Sequence, residues 1–233
     1  MIAQAWMAAA RARRRLYRLR GARAPREDLV ARHVRGRSFL DVGCMWSVDG
    51  AIAFGAEAAG ASRVTAIDVM APTQAYLAEH ARRDSQVTFW QGDIHDPALI
   101  ARAGVHDVVW CSGVVYHAPH PVLTLQRLRE LTGQFLLLAS ETIPEVPGLA
   151  QACVYLPGLA GADRRAHGAG RGGGLVGVDG RFDPGRGYAN WFWGLSPSAL
   201  RAMVASAGFE VLETRGHPLH TTIVAQPVAR AEP

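Results

Sequence analysis

From Arg37 onward, short apolar runs alternate with longer segments whose apolar positions recur every three or four residues. The runs predict strands covered on both faces, and the longer segments predict the helices that cover them. The pattern places strands at about 38–42, 63–68, 86–91, 106–112 and 134–140, with helices near 50–59, 73–83, 97–103 and 121–132. Pro72 and Thr73 open the second helix, and Pro121 sits early in the fourth, where its missing N–H does no harm. A last helix is expected over 196–207, with Ser196 as N-cap, Pro197 as first residue and Gly208 as stop. Residues 209–215 and 221–228 read as a closing strand pair. Strand and helix in alternation imply the α/β class, a mainly parallel sheet with helices on both faces.

Two stretches break the rhythm. Residues 1–37 carry eleven arginines against Glu27 and Asp28. Apolar residues come first and charges after, the wrong order for a secretory signal. The spacing of Ile2, Trp6, Met7 and Leu16 predicts a helix over residues 1–20 that breaks at Gly21 and Pro25. That helix either covers an acceptor pocket or lies solvated. Residues 161–188 are rich in glycine, with five arginines and few apolar positions, and predict a mobile loop that either acts as a lid or is a plain insertion. The expected organisation is an extension over 1–37 and one domain over 38–233 with an insertion at 161–188.

The remaining composition narrows the picture modestly. At 233 residues, 49% of them hydrophobic and 19% charged, the chain fits one ordinary globular core. No apolar run reaches the length needed to cross a bilayer, so no membrane partner is expected. All 25 basic residues are arginine, and the net charge of +5 argues only weakly for nucleic acid. Cys44, Cys111 and Cys153 have no metal-type spacing and form no even framework, which fits reduced thiols in a cytoplasm. No cluster of Asp, Glu, His or Cys has convincing metal spacing either.

The chemistry gathers where strands end. Phe39-Leu40-Asp41-Val42-Gly43-Cys44 is an apolar run closed by an acid and a tight turn. Asp68 closes the next strand, and Asp93 follows the third in Gly92-Asp93-Ile94. Acids at three successive strand ends point to a bound small molecule at the carboxyl edge of the sheet. Asp41 suits a cationic or hydroxylated partner better than a phosphate. Gly43 would let the backbone come close to that partner. A nicotinamide site is disfavoured, because no G-x-G-x-x-G follows a strand.

On these residues the chain resembles a class I S-adenosylmethionine-dependent methyltransferase across roughly residues 38–227. Asp41-Val-Gly43-Cys44 matches that family's first motif, Asp68 its ribose acid and Gly92-Asp93-Ile94 its adenine-edge motif. Asp107-Val-Val-Trp-Cys111-Ser112-Gly113 matches the fourth strand beside the transferred methyl. Ser47 stands where the family often has a second glycine. A narrower likeness, through Val115-Tyr116-His117, Pro121 and Asn190-Trp191-Phe192-Trp193, is to the branch containing tRNA wobble-uridine carboxymethyltransferases. The resemblance implies a Rossmann-like seven-stranded sheet with an antiparallel last strand and S-adenosyl-L-methionine as cofactor. It puts Asp41, Gly43 and Cys44 at the methionine part, Asp68 at the ribose, Asp93 and Ile94 at the adenine, and Cys111 and Ser112 near the sulfonium.

Other candidates follow from position. Trp46 in the first turn and Tyr116 after the fourth strand are expected to shape the pocket, since aromatic faces attract a sulfonium. Cys44 and Cys111 are expected to line it as small apolar groups. Trp191 and Trp193 either pack the core or touch the acceptor. His117 is the candidate base or else ties its loop, with His120 a weaker second. Glu141, ending the fifth strand, either orients an acceptor or is a solvated cap. His217 and His220 flank a hairpin turn. The expected reaction is methyl transfer to an oxygen or nitrogen of a small molecule. The alternatives are a tRNA methyl- or carboxymethyltransferase and a non-catalytic binding module.

Overall fold

A computed structural model describes residues 5, 7–10, 12, 13, 26–167 and 181–229. Helix α1 (Arg26–Val34) leads into strand β1 (Ser38–Val42), followed by α2 (Ala51–Ala58), β2 (Arg63–Asp68), α3 (Gln74–Arg83) and β3 (Thr88–Gln91). Then come α4 (Pro97–Ala103), β4 (His106–Ser112), α5 (Pro121–Leu131) and β5 (Thr132–Glu141). Among the described residues, seven strands form one sheet in the order β3-β2-β1-β4-β5-β9-β8, with β8 (Phe209–His217) and β9 (His220–Pro227) at one side. β1 to β5 are mutually parallel, and β9 runs against both β5 and β8. This is the expected Rossmann-like sheet with one reversed strand.

Alternation along the strands builds the core on both faces. Leu40, Val42, Ile67, Val109, Leu136 and Leu138 pack with α4, α5 and helix α7 (Pro197–Ser206). Phe39, Val64, Ala66, Val108, Trp110 and Leu137 pack with α1, α2 and Tyr76 of α3. A third, smaller cluster lies over the carboxyl edge of the sheet: Met7, Ala10, Tyr116, Ile143, Leu156, Trp191 and Leu219. Met7 has no exposed surface, so the N-terminal helical residues sit on the aromatic group that follows β4.

The caps act as the sequence predicts. Thr73 Oγ1 accepts the Tyr76 N–H at 3.0 Å, and Ser196 Oγ accepts that of Ala199 at 3.3 Å. Gly208 turns the chain out of α7 at φ 93. Elsewhere the sequence reading needs correction. α1 lies where no element is expected; it buries Leu29, Val30 and Val34. β6 (Cys153–Tyr155) and β7 (Trp193–Leu195) form an antiparallel pair that the pattern does not show. Within the supposed mobile loop, helix α6 (Gly161–His167) buries Arg164 and His167, and Pro184–Ala189 is a short 3₁₀ turn. Residues 168–180 of that loop lie outside the described residues.

Candidate active site

The turn after β1 is wound through left-handed backbone at Gly43 (φ 84), Ser47 (φ 59), Asp49 (φ 45) and Gly50 (φ 76). Ser47 thus adopts by itself the conformation that a glycine would supply there. A Cβ on Gly43 would lie 2.6 Å from Val114 Cγ2 and 3.0 Å from the Ser112 carbonyl. Glycine is needed because the β4 turn presses against the β1 turn; the sequence reading assigns that closeness to a ligand. Gly50 likewise makes room for the Tyr76 ring.

The three acids end three neighbouring strands but differ in state. Asp41 is 1% exposed, accepts the Ala53 N–H at the start of α2, and has its Oδ2 buried without a protein partner. Burial, and then the charge of Asp68, push its pKa up to about 7. Asp68 ties the site together: Oδ2 accepts the Met45 N–H and Oδ1 the Met70 N–H, each at 2.8 Å. Asp93 Oδ1 accepts the N–H and Nδ1–H of His95 at 2.8 and 2.9 Å, and Oδ2 accepts the Tyr188 hydroxyl at 2.6 Å. Burial opposes its ionisation, but the bonds from Tyr188 and His95 outweigh that and hold the carboxyl below its usual range. Its side chain stays 40% exposed, leaving room for a ligand.

Past β4, Ser112 and Gly113 lead into a 3₁₀ turn over Val115–His117. The Tyr116 hydroxyl comes within 3.4 Å of the position a Gly113 Cβ would take, so it points back at the strand end. Tyr116 stacks on Trp191 with centroids 4.1 Å apart, and His117 packs against both rings. His117 Nδ1 lies 2.7 Å from the Asn190 carbonyl. A carbonyl only accepts, so the proton is on Nδ1 and Nε2 keeps its lone pair. Burial lowers the His117 pKa, with the Asn190 bond opposing, which favours the neutral ring.

Other expected residues are placed differently. Cys44 and Cys111 have no exposed surface and pack into opposite faces of the core, and burial raises both thiols. Their side chains fill core rather than line a pocket. Ile94 is buried beside Leu99 in the same manner. Trp46 is 65% exposed, with Val69 (42%) and Met70 (37%) as exposed apolar neighbours at the strand ends. Trp191 belongs to the buried cluster over the sheet edge, whereas Trp193 donates from Nε1 to the Pro119 carbonyl at 3.2 Å. Glu141 faces His220 across the β5–β9 pair, 3.7 Å from its Nδ1. Among the described residues, no group of His, Cys, Asp or Glu could hold a metal ion. Sequence reasoning missed His95 and Tyr188, and named Asn190 only within a likeness, with no role of its own. His95 stands two residues after Asp93, a signal within reach, but Tyr188 and Asn190 come from across the fold.

These residues fit S-adenosylmethionine, which carries an ammonium, a ribose diol, an adenine and a sulfonium. A buried carboxylate oxygen without a partner at Asp41 suits the ammonium, and Asp68 and the open face of Asp93 suit hydroxyl and amino groups. The exposed apolar rim of Trp46, Val69 and Met70 suits a planar ring.

Comparison with known proteins agrees. A family described as methyltransferase domain matches residues 40–133. No curated protein sequence matches. Among solved structures, the N-terminal domain of EvdMO1 with S-adenosylhomocysteine bound is 17% identical, over 88% of this chain and 80% of that one, with a TM-score of 0.58. The Burkholderia thailandensis 1,6-didemethyltoxoflavin-N1-methyltransferase, with 1,6-didemethyltoxoflavin and S-adenosylhomocysteine bound, is 14% identical over 88% and 78%, TM-score 0.59. Magnesium protoporphyrin IX methyltransferase of Synechocystis PCC 6803, also with S-adenosylhomocysteine, is 16% identical over 86% and 81%, TM-score 0.53. At such identities the likeness shows the fold. With the matched domain and the strand-end acids it leads to one conclusion: the chain carries a methyltransferase domain over residues 40–133, on the fold of these S-adenosylhomocysteine-bound structures, with S-adenosylmethionine as its cofactor.

Proposed function

We propose that the enzyme methylates an oxygen or nitrogen of a small molecule, with the acceptor held at the carboxyl end of β4. The observation that carries this reading is the cluster of Tyr116, Trp191, Met7, Leu156, Ile143 and Leu219 there. Its members are apolar or aromatic and carry no formal charge. Buried as it is, the cluster forms the apolar backing of the acceptor end of the site rather than an exposed face. An uncharged backing suits a compact, neutral, ring-bearing acceptor better than a phosphodiester chain, which needs cations along its path. The 14%-identical Burkholderia enzyme, by its description an N1-methyltransferase bound to 1,6-didemethyltoxoflavin, is in keeping with an acceptor of that size. A cytoplasmic enzyme with reduced thiols fits the same reading.

The bound cofactor supplies an electrophilic methyl on a good leaving group. What remains for the protein is alignment and removal of one proton. Tyr116 and Trp191 form the wall against which an acceptor is oriented. His117 keeps an unprotonated Nε2 at neutral pH, because its Nδ1–H is committed to Asn190 and burial disfavours the cation. Asp41, Asp68 and Asp93 hold the donor at the adjoining strand ends.

A screen of phenolic, hydroxyl and heteroaromatic nitrogen acceptors for release of S-adenosylhomocysteine tests this directly. In the best acceptor, His117→Ala is expected to lower kcat by about a hundredfold with donor affinity unchanged. Turnover that survives the substitution across pH 6 to 9 would remove His117 as the base. Strongly salt-dependent tRNA binding, with no small acceptor turned over, would overturn the small-molecule reading.

A further inference from the structure

The stretch 183–193 belongs to no motif of the donor site, yet it touches both the Asp93 side and the Tyr116–His117 side of the candidate centre. Tyr188 donates to Asp93, and its hydroxyl lies 2.9 Å from His95 Nδ1 with the rings stacked at 6.2 Å. His95 continues through Nε2 to Thr124 Oγ1 of α5 at 2.9 Å. Two residues after Tyr188, the Asn190 carbonyl accepts the His117 Nδ1–H. Trp191 then stacks on Tyr116, and the Phe192 N–H donates to the Tyr116 carbonyl at 2.9 Å.

The turn is also pinned within itself. The Asn190 amide donates to the carbonyls of Asp183 and Gly187 at 2.7 and 3.0 Å, and its oxygen accepts the Asp183 N–H at 3.1 Å. Gly187, at φ 48 and ψ −127, supplies the kink that lets the chain fold back on its own start. Tyr188 and Asn190 are separated by at most about 7 Å of chain. So short a piece, held at this many points, cannot shift at one contact while staying fixed at the other.

We propose that the Asp183–Asn190 turn is a positioning strap, holding Asp93 on the donor side and His117 on the acceptor side through one rigid element. Tyr188 and Asn190 are its positioning residues. Tyr188 fixes the orientation of the Asp93 carboxylate, and its place beside the acid leaves the acid's outer face open. The Asn190 carbonyl fixes the tautomer and ring plane of His117. The strap rests on the reading of Asp93 as donor-binding and of His117 as facing the acceptor, and it adds that the two are set together.

The test is made crosswise, each end disturbed and the other observed. Tyr188→Phe keeps the ring on His95 and removes the hydroxyl from Asp93. Nitrogen-detected NMR of the histidine rings is expected to show a displaced His117 Nδ1–H signal whose exchange with water is several-fold faster. Asn190→Ala unpins the turn without removing any group on Asp93, and is expected to weaken S-adenosylhomocysteine binding by about threefold to tenfold in calorimetry. If Tyr188→Phe leaves the His117 signals at their parent values, the contacts are local and the strap is overturned. Unchanged affinity in a folded Asn190→Ala variant overturns it equally. Should Asn190→Ala fail to fold, the His117 measurement decides alone. A parent protein that binds no S-adenosylhomocysteine would refute the donor reading of Asp93 separately, because the Tyr188→Phe arm needs no ligand.

Discussion

Single residues in the first turn carry more of the site than their size suggests. Gly43 combines φ 84 with a Cβ direction blocked by Val114 and Ser112. Gly43→Ala therefore meets both backbone strain and a steric clash, and is expected to cost on the order of 2–4 kcal/mol in urea unfolding. A loss below about 0.5 kcal/mol would mean that the β4 turn gives way freely. Asp41 leads to a different experiment. Its raised pKa leaves it largely protonated below about 7, while the donor's ammonium is best met by the ionised form. Donor binding then expels a proton, so S-adenosylhomocysteine affinity should rise by up to about tenfold per pH unit until pH 7 and flatten above it. Calorimetry at pH 5.5, 6.5 and 8 reads this. A flat profile in the parent, or an unchanged slope in Asp41→Asn, rules Asp41 out as the linked group.

At the level of elements, the strands and helices of the sheet were legible and the connections over its edge were not. β1, β2 and β4 match their expected limits because each is an apolar run buried on both faces, so no partner is needed to recognise it. α1 was missed because Leu29, Val30 and Val34 are few among charged neighbours, and only contact with the sheet gives them a face. β6 and β7, three residues each, carry no period at all and exist through each other. The acids were legible because each ends a run. The roles of Tyr188 on Asp93 and of Asn190 on His117 were not, since an irregular turn is specified by bonds to distant residues. The cap of α3 shows how such ties couple elements. Thr73 accepts from Tyr76 N–H and also donates to Asp49 Oδ1 at 2.6 Å, within the left-handed part of the first turn. Thr73→Ala should lower stability by about 1 kcal/mol and weaken donor binding as the turn loosens, whereas Thr73→Ser retains both bonds. Equal donor affinity in all three proteins would confine Thr73 to capping.

For the molecule as a whole, two buried groups set opposing pH slopes. His106 has no exposed surface, with Nδ1 on the Gly104 carbonyl and Nε2 on Thr65 Oγ1. Burial, then the charge of Arg63, push its pKa from 6.5 down to about 4. The unfolded chain binds more protons there, so this contribution is whole above pH 6.5 and is lost as pH falls toward 4. His117, lowered by burial, adds to the same side. Asp41 does the reverse. Raised from 3.8 to about 7, it makes the folded state bind the extra proton, and stability falls as pH rises through that window. The lowered carboxyls of Asp93, Asp107 and Glu213 act below about pH 4.5, outside most of the overlap. Between pH 4.5 and 6.5 the two slopes largely cancel, and the parent's unfolding free energy should be nearly flat. Asp41→Asn removes the falling slope, so the variant's stability should climb by on the order of 1–3 kcal/mol across the same range. His106→Gln should tilt the profile the other way. Urea midpoints at half-unit pH steps distinguish these cases, and three parallel profiles would show that neither buried group governs the balance.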